Sequence, residues 1–187
     1  MKQDQLRWNE KYAAGDFPKE PSPIVREFYR RAPKGQALDI AAGSGRNAIF
    51  LANHGFKVAA LDISDRALAG LDKHPNVTPV CVDFDTFDIP MNRYDLILNI
   101  RFLHRRLFPQ IIEGLTDGGV LIFETYLMTP EVALPGVHRR DFMLRPNELL
   151  HSFLPLRILH YREKLSADSE EDRPLASLVA VRVPGAR

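Results

Sequence analysis

From Lys34 to His74 the chain contains no proline, and inside that stretch an apolar run, a glycine turn, a helical segment and a second apolar run follow one another. Gln36-Ala37-Leu38-Asp39-Ile40-Ala41 reads as a buried strand that ends in the glycine turn. Asn47 to His54 follows with helical character and Gly55 stops it. Lys57-Val58-Ala59-Ala60-Leu61 is the second strand, closed by Asp62. Two strands joined through a helix run parallel, because only a crossover of that length returns the chain to the same end of the sheet. Apolar residues on both faces require cover on both faces, so the segment predicts an α/β fold with a parallel sheet between helices.

The rest of the chain extends this pattern. Ser64-Asp65 is suited to cap a helix running to about Leu71, Asn76 to Val82 makes a third strand, and Asp95 to Ile100 a fourth. A helix over Pro109 to Leu115 and a strand over Val120 to Phe123 flank Asp117-Gly118-Gly119. A Pro-, Gly- and Arg-rich loop containing His138-Arg139-Arg140-Asp141 runs to Pro146, and one more helix starts at Asn147. Two β-like runs, Leu156 to Glu163 and Leu175 to Val183, have no helix between them and so predict an antiparallel pair at the sheet edge.

At 187 residues the chain is expected to form a single domain over 1–187, with residues 1–33 a proline-framed N-terminal extension. The formal charge of +1 excludes the strong basic excess of an obligate duplex nucleic-acid binder. A lone cysteine, Cys81, excludes a disulfide framework and a cysteine-rich zinc site, and no metal is expected. Its setting in Val80-Cys81-Val82 predicts a buried, inert residue. The N-terminus has no apolar stretch of signal-peptide length and no segment nears the roughly 18 apolar residues of a membrane span. A cytoplasmic protein without a membrane partner is expected.

Chemistry concentrates in Leu38-Asp39-Ile40-Ala41-Ala42-Gly43-Ser44-Gly45-Arg46-Asn47-Ala48, where the first strand turns into the first helix. In an open α/β sheet, ligands bind beyond the carboxyl ends of the strands. Gly43 and Gly45 let the backbone approach such a ligand, and free N–H groups at the helix start favour an anionic group. Asp62 at the end of the second strand can accept from two ribose hydroxyls. Asp83 at the end of the third, beside Phe84, can accept from an adenine amino group while the ring packs on apolar side chains. Asp39 just before the turn would repel a pyrophosphate and attract an amino group or a sulfonium, which favours S-adenosylmethionine over NAD. Gly43-x-Gly45-x-x-Ala48 with Asp62 also fits the dinucleotide fingerprint, so an NAD-dependent oxidoreductase stands as an alternative.

These residues resemble the class I S-adenosylmethionine-dependent methyltransferases, in particular the small bacterial TehB-like (tellurite-resistance) group. The resemblance runs through Trp8-Asn9-Glu10-Lys11-Tyr12, the Asp39 to Asn47 loop with its Gly-Arg-Asn ending, Leu61-Asp62-Ile63-Ser64, Val82-Asp83-Phe84, Tyr94-Asp95-Leu96-Ile97 and Gly118-Gly119. It implies a Rossmann-like, seven-stranded, mostly parallel sheet whose last strand is antiparallel. It also implies S-adenosyl-L-methionine as cofactor, with Asp62 and neighbouring Ile63 at the ribose, Asp83 and Phe84 flanking adenine, and Gly43, Gly45 and Asn99 lining the methionine moiety. Trp8 and Tyr12 would sit on a lid facing the sulfonium. One position departs from the family loop: Ala41 stands where its first glycine usually does.

The fourth strand carries Asn99, Arg101 and His104 to the end of the sheet where a methyl group would be presented. Arg101 is a candidate anchor for an anionic acceptor and His104 a candidate general base; Arg46 is a candidate partner for the cofactor carboxylate. The expected acceptor is a small molecule. RNA is a subordinate possibility that a cluster of Arg101, Arg105, Arg106, Arg139 and Arg140 around the cleft would raise. A cofactor-binding module without turnover is the remaining alternative, motivated by Ala41; the oligomeric state stays open.

Overall fold

The computed structural model describes residues 2–15, 17–129, 142–165 and 173–185. Seven strands form one sheet: β1 (Gln36–Ile40), β2 (Lys57–Asp62), β3 (Val77–Cys81), β4 (Tyr94–Ile100), β5 (Leu115–Tyr126), β6 (Arg157–Lys164) and β7 (Leu175–Val181), in the order β3-β2-β1-β4-β5-β7-β6. The neighbours from β3 to β5 pair in parallel, and β7 runs antiparallel to both β5 and β6. The predicted antiparallel pair is thus at that edge, with β7 inserted between β5 and β6. The order reverses between β1 and β4, which makes the end of β1 the topological switch point where a ligand crevice opens.

Among the described residues six α-helices accompany the strands: α1 (Lys2–Ala14), α2 (Pro23–Phe28), α3 (Arg46–Asn53), α4 (Asp65–Leu68), α5 (Leu107–Gly114) and α6 (Glu148–Ser152). Alternation along β1 divides the core. Leu38 and Ile40 join a cluster with Leu107, Ile111, Leu149 and Phe153 from α5, α6 and the residue that ends α6. Ala37 joins the opposite cluster with Ile24 and Val25 of α2, Ala48 and Leu51 of α3, and Leu68 of α4. Burying such side chains on both faces is what holds the sheet, at ~1.5–3 kcal/mol for each large aliphatic group. Asp39 shares the Ala37 face, so the strand period sends its carboxylate under the first turn of α3.

Two expectations need correction. The helix after Ser64 stops at Leu68, because Gly70 takes a left-handed φ of 87° and only a short 3-10 turn, Leu71–Lys73, follows. Cys81 is exposed rather than buried. The reason is that β3 is an edge strand, so the outward side of Val80-Cys81 is left bare. Pro79, which cannot donate to a ladder, carried that signal, since proline in a strand is confined to edges. No helix among the described residues is long and apolar enough to cross a membrane.

Candidate cofactor site and active site

The loop after β1 contains three left-handed residues in close succession: Ala41 (φ 54°), Gly43 (φ 58°) and Gly45 (φ 77°). Glycine adopts this conformation freely, whereas alanine pays a steric cost of ~1 kcal/mol or more between Cβ and carbonyl. Ala41 is therefore strained, and such strain persists only where the surroundings over-determine the backbone. They do so here: the Ala42 amide donates to the Leu61 carbonyl at 2.8 Å and the Gly45 amide to the Ala42 carbonyl at 3.0 Å. Gly43 has a second reason to be glycine, since a Cβ there would fall on the Tyr12 hydroxyl.

Asp62 holds this loop from the neighbouring strand. One carboxylate oxygen accepts the Gly43 amide at 2.8 Å and the other the Ser64 amide at 2.9 Å. Ser64 in turn caps α4, its hydroxyl accepting the Ala67 amide at 3.0 Å. Burial raises the Asp62 carboxyl pKa, and the amides of Ser64, Gly43 and Ile63 pull it back. The residue is only 6% exposed, and both of its carboxylate oxygens keep lone pairs beyond those engaged by the loop.

Asp39 differs. It is 1% exposed and its Oδ2 has no hydrogen-bond partner. Burial, with the nearby charge of Asp62, raises its pKa to about 7, against the opposing pull of Arg46 and the Ala48 amide. A buried, unsatisfied carboxylate oxygen is costly unless a donor arrives, and the donor that fits best is cationic. Arg46 sits over the same space, half-buried, its Nη1 donating to the Glu20 carbonyl at 3.1 Å. Desolvation lowers its pKa, and repulsion from Arg101 adds to that. Next to it, Asn47 Oδ1 accepts the Ser22 amide at 2.8 Å and pins the N-terminal segment to the start of α3.

Helix α1 lies across these strand ends with none of its residues buried. Polar contacts hold it: Asn9 Nδ2 donates to Asp65 Oδ1 at 2.7 Å, the Ser64 hydroxyl donates to Asn9 Oδ1 at 2.6 Å, and Gln5 Nε2 reaches Cys81 Sγ at 3.5 Å. Tyr12 stacks on Phe17 with centroids 4.0 Å apart and stands 6.2 Å from Trp8, whose ring faces Lys11 Nζ at 4.5 Å. Burial, then Asp62, pushes the Tyr12 hydroxyl up to about 12, so it stays protonated. Beside α1 a cavity of about 240 Å³ is lined by Lys2, Gln5, Ile63, Cys81, Val82 and Asp83. Asp83 and Ile63 thus face one space. Phe84 does not line it; it is 5% exposed and packs in the core against Phe102 at 5.1 Å.

On the other side of the switch point, Arg101 follows β4 directly with a left-handed φ of 60°. Its amide donates to the Glu124 carbonyl at 2.7 Å, its guanidinium meets Glu124 Oε1 at 3.3 Å, and it lies 5.3 Å from the Tyr126 ring centre. The Ser177 hydroxyl donates to Glu124 Oε2 at 2.8 Å. Asn99 is buried and its Nδ2 donates to the Phe102 carbonyl at 2.7 Å, which shapes this turn. His104 Nε2 meets Asp85 Oδ1 at 2.9 Å. Arg105 pairs with Glu148, and Arg106 with Asp88 and the carbonyls of Phe84 and Phe87. Arg139 and Arg140 lie outside the described residues. Glu124 and Ser177 escaped the sequence reading, as did the contact of Asn47 with Ser22; the available signal for Glu124 was a carboxylate closing the apolar run Val120 to Phe123.

Comparison with known proteins adds to this geometry. Residues 37–119 match the family profile described as Methyltransferase domain. Curated relatives from two Haemophilus influenzae strains, named probable S-adenosyl-L-methionine-dependent methyltransferase TehB, are 26% identical over 142 residues, covering 70% of this chain and 49% of theirs. The chain therefore spans about half the length of the curated relatives it matches. Among solved structures, TehB from Haemophilus influenzae superposes with a TM-score of 0.71 at 21% identity, covering 95% of this chain and 66% of that one. An S-adenosylmethionine-dependent methyltransferase from Mesorhizobium loti gives 0.67 at 18% identity, covering 86% and 96%. The profile match over the switch-point loop and the similarity to TehB make residues 37–119 similar to a methyltransferase domain, and the seven-stranded sheet with β7 inserted is the fold of the solved S-adenosylmethionine-dependent methyltransferases.

Proposed function

We propose that the chain is a methyltransferase that uses S-adenosyl-L-methionine and acts on a small-molecule acceptor by in-line displacement. The observation that carries the reading is the unpartnered Oδ2 of buried Asp39 under a loop of three left-handed residues at the switch point. A buried carboxylate oxygen without a donor fits the ammonium of an amino-acid moiety, and the cavity between α1 and Asp83 fits a nucleoside base. When bound, the cofactor supplies an electrophilic methyl group on a sulfonium.

The roles of the chain's own residues follow from position. Gly43 and Gly45 give the ligand close approach to backbone, Ala41 sets the loop's path, and Asp62 with Ile63 borders the ribose. Asp83 receives the adenine amino group, and Phe84 backs that wall from the core. Arg46 neutralises a carboxylate, Asn99 shapes the methionine side of the pocket, and Trp8 and Tyr12 close over it on α1, keeping water out. Because the leaving group becomes neutral, alignment and exclusion of water carry most of the rate. Arg101 orients the acceptor. His104, held by Asp85, takes a proton where the acceptor is a neutral hydroxyl or amine.

A small-molecule acceptor is favoured over RNA because Arg101, Arg105 and Arg106 each face a carboxylate and so are partly neutralised toward a phosphate backbone. Nothing in the profile match supports the dinucleotide alternative, and the buried Asp39 carboxylate opposes a pyrophosphate at the loop. Calorimetric titration tests the reading: S-adenosylhomocysteine is expected to bind one-to-one and NADH not at all. Tight NADH binding without a response to S-adenosylhomocysteine would overturn it, and cofactor binding without transfer across a broad acceptor panel would favour the binding-module alternative.

A further inference from the structure

A second cavity, of about 460 Å³, opens at the opposite end of the sheet and is lined by Tyr29, Arg30, Ala32, Lys34, His54 and Phe56. It lies near the beginnings of β1 and β2, so the five residues of β1 separate it from the switch point by roughly 16 Å at the rise of a strand. Its floor is apolar and fixed: Tyr29, Ala32 and Phe56 are 6%, 8% and 1% exposed. Tyr29 is braced edge-on by Phe50 at 5.0 Å and by His54 at 4.8 Å. The ring of His54 is itself fixed, its Nδ1 lying 2.7 Å from the Phe50 carbonyl. A carbonyl opposite Nδ1 requires the hydrogen on that nitrogen, so in the neutral ring Nε2 carries the lone pair.

The rim is cationic. Arg30 Nε donates to the Tyr29 hydroxyl at 3.0 Å, and the guanidinium lies 5.5 Å from the Tyr29 ring centre. That bond uses the phenol oxygen as acceptor and leaves its hydrogen for another acceptor. Lys34 folds across the Gly55 turn, its Nζ 3.9 Å from where a Gly55 Cβ would stand. Among the described residues neither Arg30 nor Lys34 has a carboxylate partner, in contrast to the arginines that follow β4. Donors from Arg30, Lys34 and the Tyr29 hydroxyl therefore surround an apolar floor with no acid among the described residues to answer them.

We propose that this cavity is a binding site for a small ligand with a flat apolar body and one oxyanionic group, a phosphate monoester or a carboxylate. The apolar body lies on the Tyr29, Ala32 and Phe56 floor, and the oxyanion meets Arg30 Nη and Lys34 Nζ. Geometry favours Arg30 for the planar, two-point contact and Lys34 for the point charge.

The test is calorimetric titration and thermal melting of the full chain with phenyl phosphate, benzoate, inorganic phosphate and phenol. Saturable one-to-one binding of phenyl phosphate or benzoate, tighter than inorganic phosphate and phenol by about tenfold or more, is expected, and the tighter of the two names the oxyanion. The double variant Arg30→Gln/Lys34→Gln, two exposed positions, is expected to melt like the parent without ligand and to lose that preference. Binding that saturating S-adenosylhomocysteine abolishes would put the probe at the switch point and overturn the proposal. Absence of saturable binding, or equal affinity in the double variant, would overturn it too. Should the double variant fail to fold, Lys34→Gln alone, read for its loss of the preference over phenol, decides in the same way.

Discussion

The two sides of the switch point handle charge in opposite ways. On the β1 and β2 side the acids are buried, and one oxygen of Asp39 has no donor. On the β4 and β5 side the charged groups face one another, Arg101 with Glu124, His104 with Asp85, and Arg105 with Glu148. Backbone strain is present on both sides, at Ala41 and Arg101. The difference is that one side stores an unmet demand for a cation and the other has met its own. A ligand gains most where a demand is unmet, so the proposed function puts recognition of the cofactor on the first side. The second side is built to hold a geometry, its pairs being partly exposed and of modest individual worth.

The largest effect is expected where a single group serves the loop and the ligand together. Asp62→Ala leaves the Gly43 and Ser64 amides without their acceptor and should cost about 2–4 kcal/mol of stability, together with at least a tenfold loss of S-adenosylhomocysteine affinity. Denaturant melts and titration read both; an unchanged affinity would remove Asp62 from the ligand. Asp39 gives a pH signature. In the folded chain it keeps its proton to about pH 7, whereas unfolded aspartate loses it near pH 4, so the fold binds the extra proton between them. Stability contributed by this group is therefore fully present at low pH and falls as pH rises through that window. Binding an ammonium needs the ionised form, so affinity should climb from pH 6 to pH 8, and Asp39→Asn should flatten the profile. A profile that stays steep in the variant would assign it to another group.

Smaller effects sharpen the contrast further. Gly43→Ala places a Cβ on the Tyr12 hydroxyl at a left-handed φ and should loosen α1. Faster proteolysis between residues 2 and 14, with a fall in melting temperature of about 2–4 °C from the left-handed alanine, is the expected readout. Ala41→Gly relieves a steric penalty and should raise stability by up to about 1 kcal/mol in denaturant melts, because the site's backbone already has the shape glycine prefers. His104→Ala, on the self-satisfied side, should lower turnover by no more than about tenfold where alignment dominates; a loss of a thousandfold would make acid–base chemistry the main term.

Much of this was legible because it rests on local rules. Strand runs, the glycine turn and the cap at Ser64 are patterns of neighbouring residues, and they gave the parallel sheet and the loop at its switch point. Asp39, Asp62 and Asp83 were readable as strand-end acids for the same reason. Phe84 was not, since whether an aromatic ring lines a pocket or fills the core depends on Phe102, which approaches from beyond the next strand. Cys81 misled because its apolar neighbours say nothing about whether another strand covers them.

The chain alone determined which residues can be strand, turn and helix, and hence that carboxylates and glycines meet at one end of a parallel sheet; periodicity and backbone sterics are properties of adjacent residues. Only the tertiary structure decided how those charges are satisfied. Whether a carboxylate is left without a donor, as at Asp39, or paired, as at Glu124, depends on which distant group the fold delivers within hydrogen-bonding range and on how much water it removes, and burial is a property of the whole molecule.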